Sequence, residues 1–289
     1  MHFPVVKELS SASDIETVFR HDEADIVVAF TPDFDANLST GEAGIQLVVD
    51  ATDPNTGNMM AGYVQGIVGQ ALQSGTQSSP IVQTHLLFNP QMKSAYNFVP
   101  GVMGLILMLI CAMMTSISIV REKETGTMEV LLVSPIRPIF IILAKAVPYL
   151  VLSCVNLATI LLLSVYVLVE GSLWTLSFLS LLLIAVALSL GLLISCVVQN
   201  QVAAMIVSGM GLMMPVMLLS GMIFPIESMP AVLQWISNII PARWYIQAVK
   251  KVMIEGLGMA AVWHEALILS GMAALLIGLS LKKFKERLE

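Results

Sequence analysis

The stretch REKETGTMEVLLVSPIRP, residues 121–138, decides how this chain is read. Alternating charge at Arg121, Glu122, Lys123 and Glu124 gives way to a Thr-Gly-Thr break, a short apolar run and two prolines. On either side lies an apolar segment long enough to cross a bilayer. A polar, structured loop therefore sits at a membrane face. Such a loop either connects two helices passively or is the surface through which something outside the membrane acts on the protein.

Composition supports the membrane setting. With 289 residues, 57% hydrophobic and 12% charged, and a mean hydropathy of +0.85, the chain is too apolar for an ordinary soluble domain. Its formal charge of −6, without a Lys/Arg cluster interleaved with aromatics, argues against nucleic acid as a partner. Cys111, Cys154 and Cys196 all fall inside apolar runs and read as small buried hydrophobes rather than staples or metal ligands.

Residues 1–95 differ in kind from the rest of the chain, because most acidic residues are here and no apolar run is long enough to span. Ser11 or Ser13 is placed to cap a helix running to Arg20. ADIVVAF (24–30), GIQLVVD (44–50) and PIVQTHLLF (80–88) read as short strands, and 55–74 as a helix between them. A small α/β domain is expected, incomplete at its N-terminal side. From 96 to 289 the expected architecture is membrane α-helical, with spans at 99–120, 139–169, 173–198, 202–224 and 262–281. Gln199, Asn200 and Gln201 alone separate the third span from the fourth, so those two form a tight antiparallel hairpin. Pro215 and the Ser220-Gly221 pair are expected to kink or unwind the fourth.

Lys and Arg near the span ends set the orientation. Arg121, Lys123, Arg137 and Lys145 flank the central loop, and Lys282, Lys283, Lys285 and Arg287 lie just past the last span, so both regions belong in the cytoplasm. The N-terminal domain and residues 225–261 then lie outside, although Arg243, Lys250 and Lys251 go against that trend. Within 225–261, stretches 230–240 and 244–255 read as short helices on the outer interface, with Trp235, Trp244 and Tyr245 as aromatic belt residues. A domain of this size does not cross unaided, so an upstream apolar helix is expected, making six spans in the intact protein.

In the central loop, Thr125, Gly126 and Thr127 break the arriving helix and cap a new one, with Glu129 in its first turn where the helix dipole favours an anion. Val130, Leu131, Leu132 and Val133 come next, closed by Ser134-Pro135 and Arg137-Pro138. The result is a stub helix along the membrane surface. A solvated connector needs neither a cap nor exposed leucines, which favours docking into a groove on a cytoplasmic partner.

Two methionine-bearing faces stand out. Met210, Met213, Met214 and Met217 fall on one side of the fourth span, and Met103, Leu107, Ile110 and Met114 on one side of the first. Flexible thioethers suit a path for varied apolar molecules, but the same pattern serves packing against helices or lipid. Asn156 and Ser153 are placed to bond a neighbouring helix, and Glu170, His264 and Glu265 are expected to be solvated at span ends. Asp50, Asp53 and Asn55 lack the offsets of a calcium loop, His264-Glu265 is not a zinc-protease motif, and no His faces Ser220 for hydrolysis. No catalytic residue and no metal site is assigned.

The run REKETGTMEVLLVSP resembles, almost position for position, the pattern of the ABC-2 type permeases, the membrane subunits of ATP-binding cassette exporters. GLLISCVVQNQVAAM (191–205) and LLSGMIFPIESMPAVLQWISNIIPARWY (218–245) resemble that family's later signature, in the same order. LVVDATDPNTG (47–57) is similar to the branch with a large outer domain that includes bacterial multidrug permeases. The resemblance implies a bacterial inner-membrane protein with a periplasmic N-terminal domain and a cytoplasmic C-terminus. It makes 126–135 a coupling helix received by a nucleotide-binding subunit, with Arg121–Glu124 as its charged lead-in and Gly126, Thr127, Glu129, Leu131, Leu132 and Pro135 on the docking element.

ATP and magnesium would belong to that partner, since no G-x-x-x-x-G-K-[ST] phosphate loop occurs in this sequence. No cofactor is expected in the chain itself. The further partners implied are a second permease subunit, the same chain or a paralogue, and membrane lipid. The outer domain would meet a periplasmic adaptor and outer-membrane channel or form an exit vestibule. The competing expectation is a membrane sensor or scaffold whose outer domain binds a ligand and whose loop signals to a cytoplasmic protein.

Overall fold

The computed structural model describes residues 7–9, 11, 14–20, 23–38, 43–52, 54–73, 81–88, 95–126, 138–167 and 172–286, and the chain divides into two compact units, 1–97 and 98–289. In the first, alternation in GIQLVVD makes β2 (Gly44–Asp50) the middle strand of three. It pairs antiparallel with β1 (Ile26–Phe30) and parallel with β3 (Ile81–Leu87). The parallel pair requires a crossover, and α3 (Pro54–Gln73) is the helix between those strands. Val64 and Val68, one turn apart on α3, pack with Ile45 and Leu47 of β2. Short helices α1 (Ile15–Arg20) and α2 (Phe34–Leu38) complete the unit. The strands sit within two residues of their expected limits, whereas α2 has no counterpart in the expectation.

The second unit is a helical bundle of α4 (Ala95–Glu124), α5 (Pro138–Val167), α6 (Leu173–Val197), α7 (Gln201–Leu219) and α10 (Trp263–Glu286), with α8 (Ala231–Ser237) and α9 (Pro241–Met253) between the last two. Among the described residues four helical stretches are long and apolar enough to cross a membrane: Asn97–Glu124, Leu173–Val197, Gln201–Leu219 and Trp263–Ser280. α5 runs over 30 residues and includes the apolar stretch Val147–Leu162. This is a helical membrane protein.

α6 is the axis of the bundle, buried on most of its circumference and packed on α5, α9 and α10. Small residues let α4 come close. A Cβ on Gly191 would lie 2.5 Å from the Ala112 carbonyl oxygen and 2.8 Å from Thr115 Cβ. Hydroxyls and a thiol join helices where no apolar contact can discriminate: Cys111 to Ser153 at 2.8 Å, Ser116 to Ser208 at 3.3 Å, and Ser280 to the Ser189 carbonyl at 3.2 Å. Ser153 thus makes the interhelical bond its position suggests.

Three expectations are corrected. The fourth span ends at Leu219 rather than Phe224, because Gly221 takes a left-handed conformation (φ +80°) that stops the helix. Tyr245 is no belt residue, because α9 (Pro241–Met253) turns it inward. Tyr245, Ile246, Val249, Val252 and Met253 make a wide apolar face buried against α6 and α10. The Tyr245 ring lies where a side chain at Gly104 would stand, and its hydroxyl meets Ser180 Oγ at 2.8 Å. Glu265 is not solvated. It is buried and paired with Lys251 at 3.2 Å.

The cations of this segment are held locally. Arg243 donates to the Gln234 carbonyl and Ser237 Oγ and lies 5.2 Å over the Trp244 ring.

Candidate functional site

The last turn of α4 carries Arg121, Glu122, Lys123 and Glu124. Thr125 closes the helix by donating its amide and hydroxyl to the Arg121 carbonyl, each at 3.0 Å. Gly126 then adopts φ +72°, a left-handed turn that a side chain would strain, and its amide reaches the Lys123 carbonyl. The helix break expected at Thr125-Gly126 is present. Thr127, Glu129, Leu131, Leu132 and Pro135 lie outside the described residues.

Helix-end electrostatics explain where Lys123 and Glu124 go. The final carbonyls of α6 lack amide partners and bear partial negative charge, while the first amides of α7 bear partial positive charge. The Lys123 ammonium donates to the Ser195 carbonyl in the last turn of α6. Across the hairpin, the Glu124 carboxylate accepts the Gln201 backbone amide at 2.9 Å and also the Gln201 side-chain amide. Asn200 caps α7 from within, its side-chain oxygen accepting the Ala203 amide at 2.7 Å. Beneath these bonds Val120 packs with Ile194, Val198 and Ala204. The lead-in to the central loop is therefore clamped onto both ends of the α6–α7 turn.

The residue pattern places Arg121–Glu124 at the loop but gives no role to Ser195, Asn200 or Gln201. The signal that points to them is complementarity: a Lys-Glu pair at one helix end, and a Gln-Asn-Gln turn exposing one carbonyl end and one amide end.

The methionine faces separate. Met103 and Leu107 are buried within the unit, whereas Met114 is 39% exposed. On α7 the buried residues Ala204, Ser208 and Val216 define an inner side. Met210 and Met214, 64% and 63% exposed, and Met213 and half-buried Met217 lie on the other side. The chain does not bring the α4 and α7 sets together.

The chain is similar to known proteins over most of its length. Residues 2–282 match the model of the ABC-2 family transporter protein. The chain is 37% identical over 257 residues to the "Probable multidrug ABC transporter permease YbhS" of Escherichia coli K12, covering 86% of this chain and 68% of that protein. It is 30% identical over 272 residues to the "Probable multidrug ABC transporter permease YbhR" of the same strain (91% and 74%), and 28% identical over 298 aligned positions to its "Inner membrane transport permease YhhJ" (96% and 78%). With a family match running almost end to end across the helices and the clamp at the α6–α7 turn, the chain belongs to the ABC-2 family of transporter membrane proteins.

Proposed function

We propose that this chain is the permease of an exporter driven by a separate ATP-binding cassette ATPase that docks on residues 121–138. The observation that carries this reading is the clamp: a push on the loop reaches α6 and α7 through Lys123 and Glu124 instead of being lost in a slack connector. The related permeases support the transporter assignment, and an ATP-binding cassette partner follows from the family in general.

On this reading α4, α5, α6, α7 and α10 are five spans of a bacterial inner-membrane protein. The C-terminal ends of α4 and α10 face the cytoplasm, where their Lys and Arg residues belong, and the first unit, α8 and α9 face the periplasm. Two permeases, identical or paralogous, work with two ATPase subunits that hold ATP and magnesium. The substrate is an apolar or amphipathic molecule, drug-like or lipid, moved outward, with the exposed methionines of α7 along its path. A periplasmic adaptor and outer-membrane channel would receive it.

The test is co-purification of the protein with its ATPase and measurement of ATP hydrolysis in proteoliposomes. Substrate-stimulated hydrolysis, lost in Gly126→Pro and Glu129→Arg, is the expected result. An ATPase that neither co-purifies nor responds to the permease refutes the proposal.

A further inference from the structure

A cleft of about 430 Å³ opens beside the clamp, lined by residues of α4, α5 and α7. Among the described residues, Met114, Ile117 and Ser118 of α4 and Tyr149 of α5 form its walls, Arg121 stands at its polar end, and Gln201 closes the side next to Glu124. Met114, Ile117, Ser118 and Arg121 recur at offsets of three and four and so share one stripe of the helix. Met103 and Leu107 continue that stripe toward the N-terminus of α4, where it is sealed: they are 3% and 1% exposed. The stripe is closed at one end of the helix and open at the other.

The polar end carries a cation and an anion, Arg121 and Glu122. Among the described residues no carboxylate lies within ion-pair distance of the Arg121 guanidinium. Glu122 also borders the cleft but already takes part in another interaction. From Met114 to Arg121 the helix rises roughly 10 Å, enough for an apolar body below one charged group. The volume is near the small end for drug-sized ligand sites, about 300–1,000 Å³, which favours a single-chain or ring-shaped guest over a two-chain phospholipid.

We propose that this cleft is the loading site for an anionic amphiphile, its carboxylate, sulfonate or phosphate paired with Arg121 and its apolar body lying along Ile117, Met114 and Tyr149. The inference deepens the export reading and rests on it for direction: with the C-terminus of α4 in the cytoplasm, the site opens to the inner leaflet and is shut above by Leu107 and Met103. Gln201 belongs to both cleft and clamp, so an occupant touches the residue that ties Glu124 to α7.

Binding is measured on the full chain in phosphatidylcholine nanodiscs, without ATPase, by fluorescence titration with dansyl-aminoundecanoic acid and its methyl ester. The acid binds saturably, and the uncharged ester about tenfold more weakly. Arg121→Gln weakens the acid by about the same factor and leaves the ester unchanged, while Arg121→Lys recovers most of the loss. Ser118→Trp, which fills the cleft, abolishes both in a protein that still elutes as the wild type does. Equal affinity for acid and ester, or indifference of the acid to Arg121→Gln, overturns the proposal. So does full displacement of the probe by phosphatidylglycerol added to the discs, which would make the occupant a membrane lipid. Because no ATPase is present, failed binding says nothing against export, and failed ATP coupling leaves these outcomes standing.

Discussion

Replacing Gly191 with alanine adds one methyl group at the tightest approach of α4 to α6. The new Cβ would stand 2.5 Å from the Ala112 carbonyl oxygen, 2.8 Å from Thr115 Cβ and 3.1 Å from Ala112 Cα, where ordinary contact begins at 3.4 Å. Two of the three atoms are backbone, so no rotamer change clears them, and α4 must withdraw from α6 by about one ångström. Overpacking of this kind costs about 1–3 kcal/mol, and the backbone obstruction puts Gly191→Ala toward the upper end. Thermal unfolding in detergent should show a midpoint lower by on the order of 5 °C. Gly209→Ala is the control, since its Cβ would meet only Met113 Sδ, at 4.0 Å, and it should unfold like the wild type. Adding Thr115→Ala to Gly191→Ala should recover only part of the loss, because the carbonyl clash remains. A Gly191→Ala protein as stable as the Gly209→Ala control would refute the close packing of α4 on α6.

Other changes probe the remaining contacts. Lys251→Met strands the Glu265 carboxylate in a buried site and should cost about 3–5 kcal/mol, most of it regained in Lys251→Met/Glu265→Leu; a double-mutant cycle on unfolding free energy decides this, and additivity would contradict the pairing. Tyr245→Phe keeps the ring but drops the bond to Ser180, for a loss of about 1 kcal/mol, whereas Tyr245→Ala should lose about 3–5 kcal/mol; similar values for both would mean the ring is not packed. Glu124→Lys sets a cation at the N-terminus of α7 and should lower substrate-stimulated ATP hydrolysis severalfold while the ATPase still co-purifies. Unchanged stimulation in Glu124→Lys would show that the clamp does not transmit motion.

The legible parts of the fold obey local rules. Three polar residues between two long apolar runs, Gln199, Asn200 and Gln201, announce a helix hairpin. The β-branched runs at 26–30 and 44–50 announce strands, and Thr125-Gly126 announces a helix end. Partners distant along the chain are not legible. Glu124 and Gln201 are 77 positions apart, and only the complementarity of charge at two helix ends connects them. Tyr245 misleads for a related reason: an aromatic beside Trp244 reads as a belt residue until Ser180, 65 positions earlier, is seen to meet its hydroxyl inside the fold. The methionines show a third limit. Periodicity places Met103, Leu107 and Met114 on one side of α4 but cannot say that a neighbouring element covers the first two and leaves the third open.

The buried face of α9 draws its partners from both sides of it along the chain. Carrying Arg243, Lys250 and Lys251, this helix cannot settle among lipids by itself. Its Tyr245 fits against Gly104 and Ser180, which emerge from the ribosome first, but the carboxylate that neutralises Lys251 belongs to α10, which emerges last. The contacts of α9 are therefore complete only once α10 is present, and Glu265 is the last of its partners along the chain.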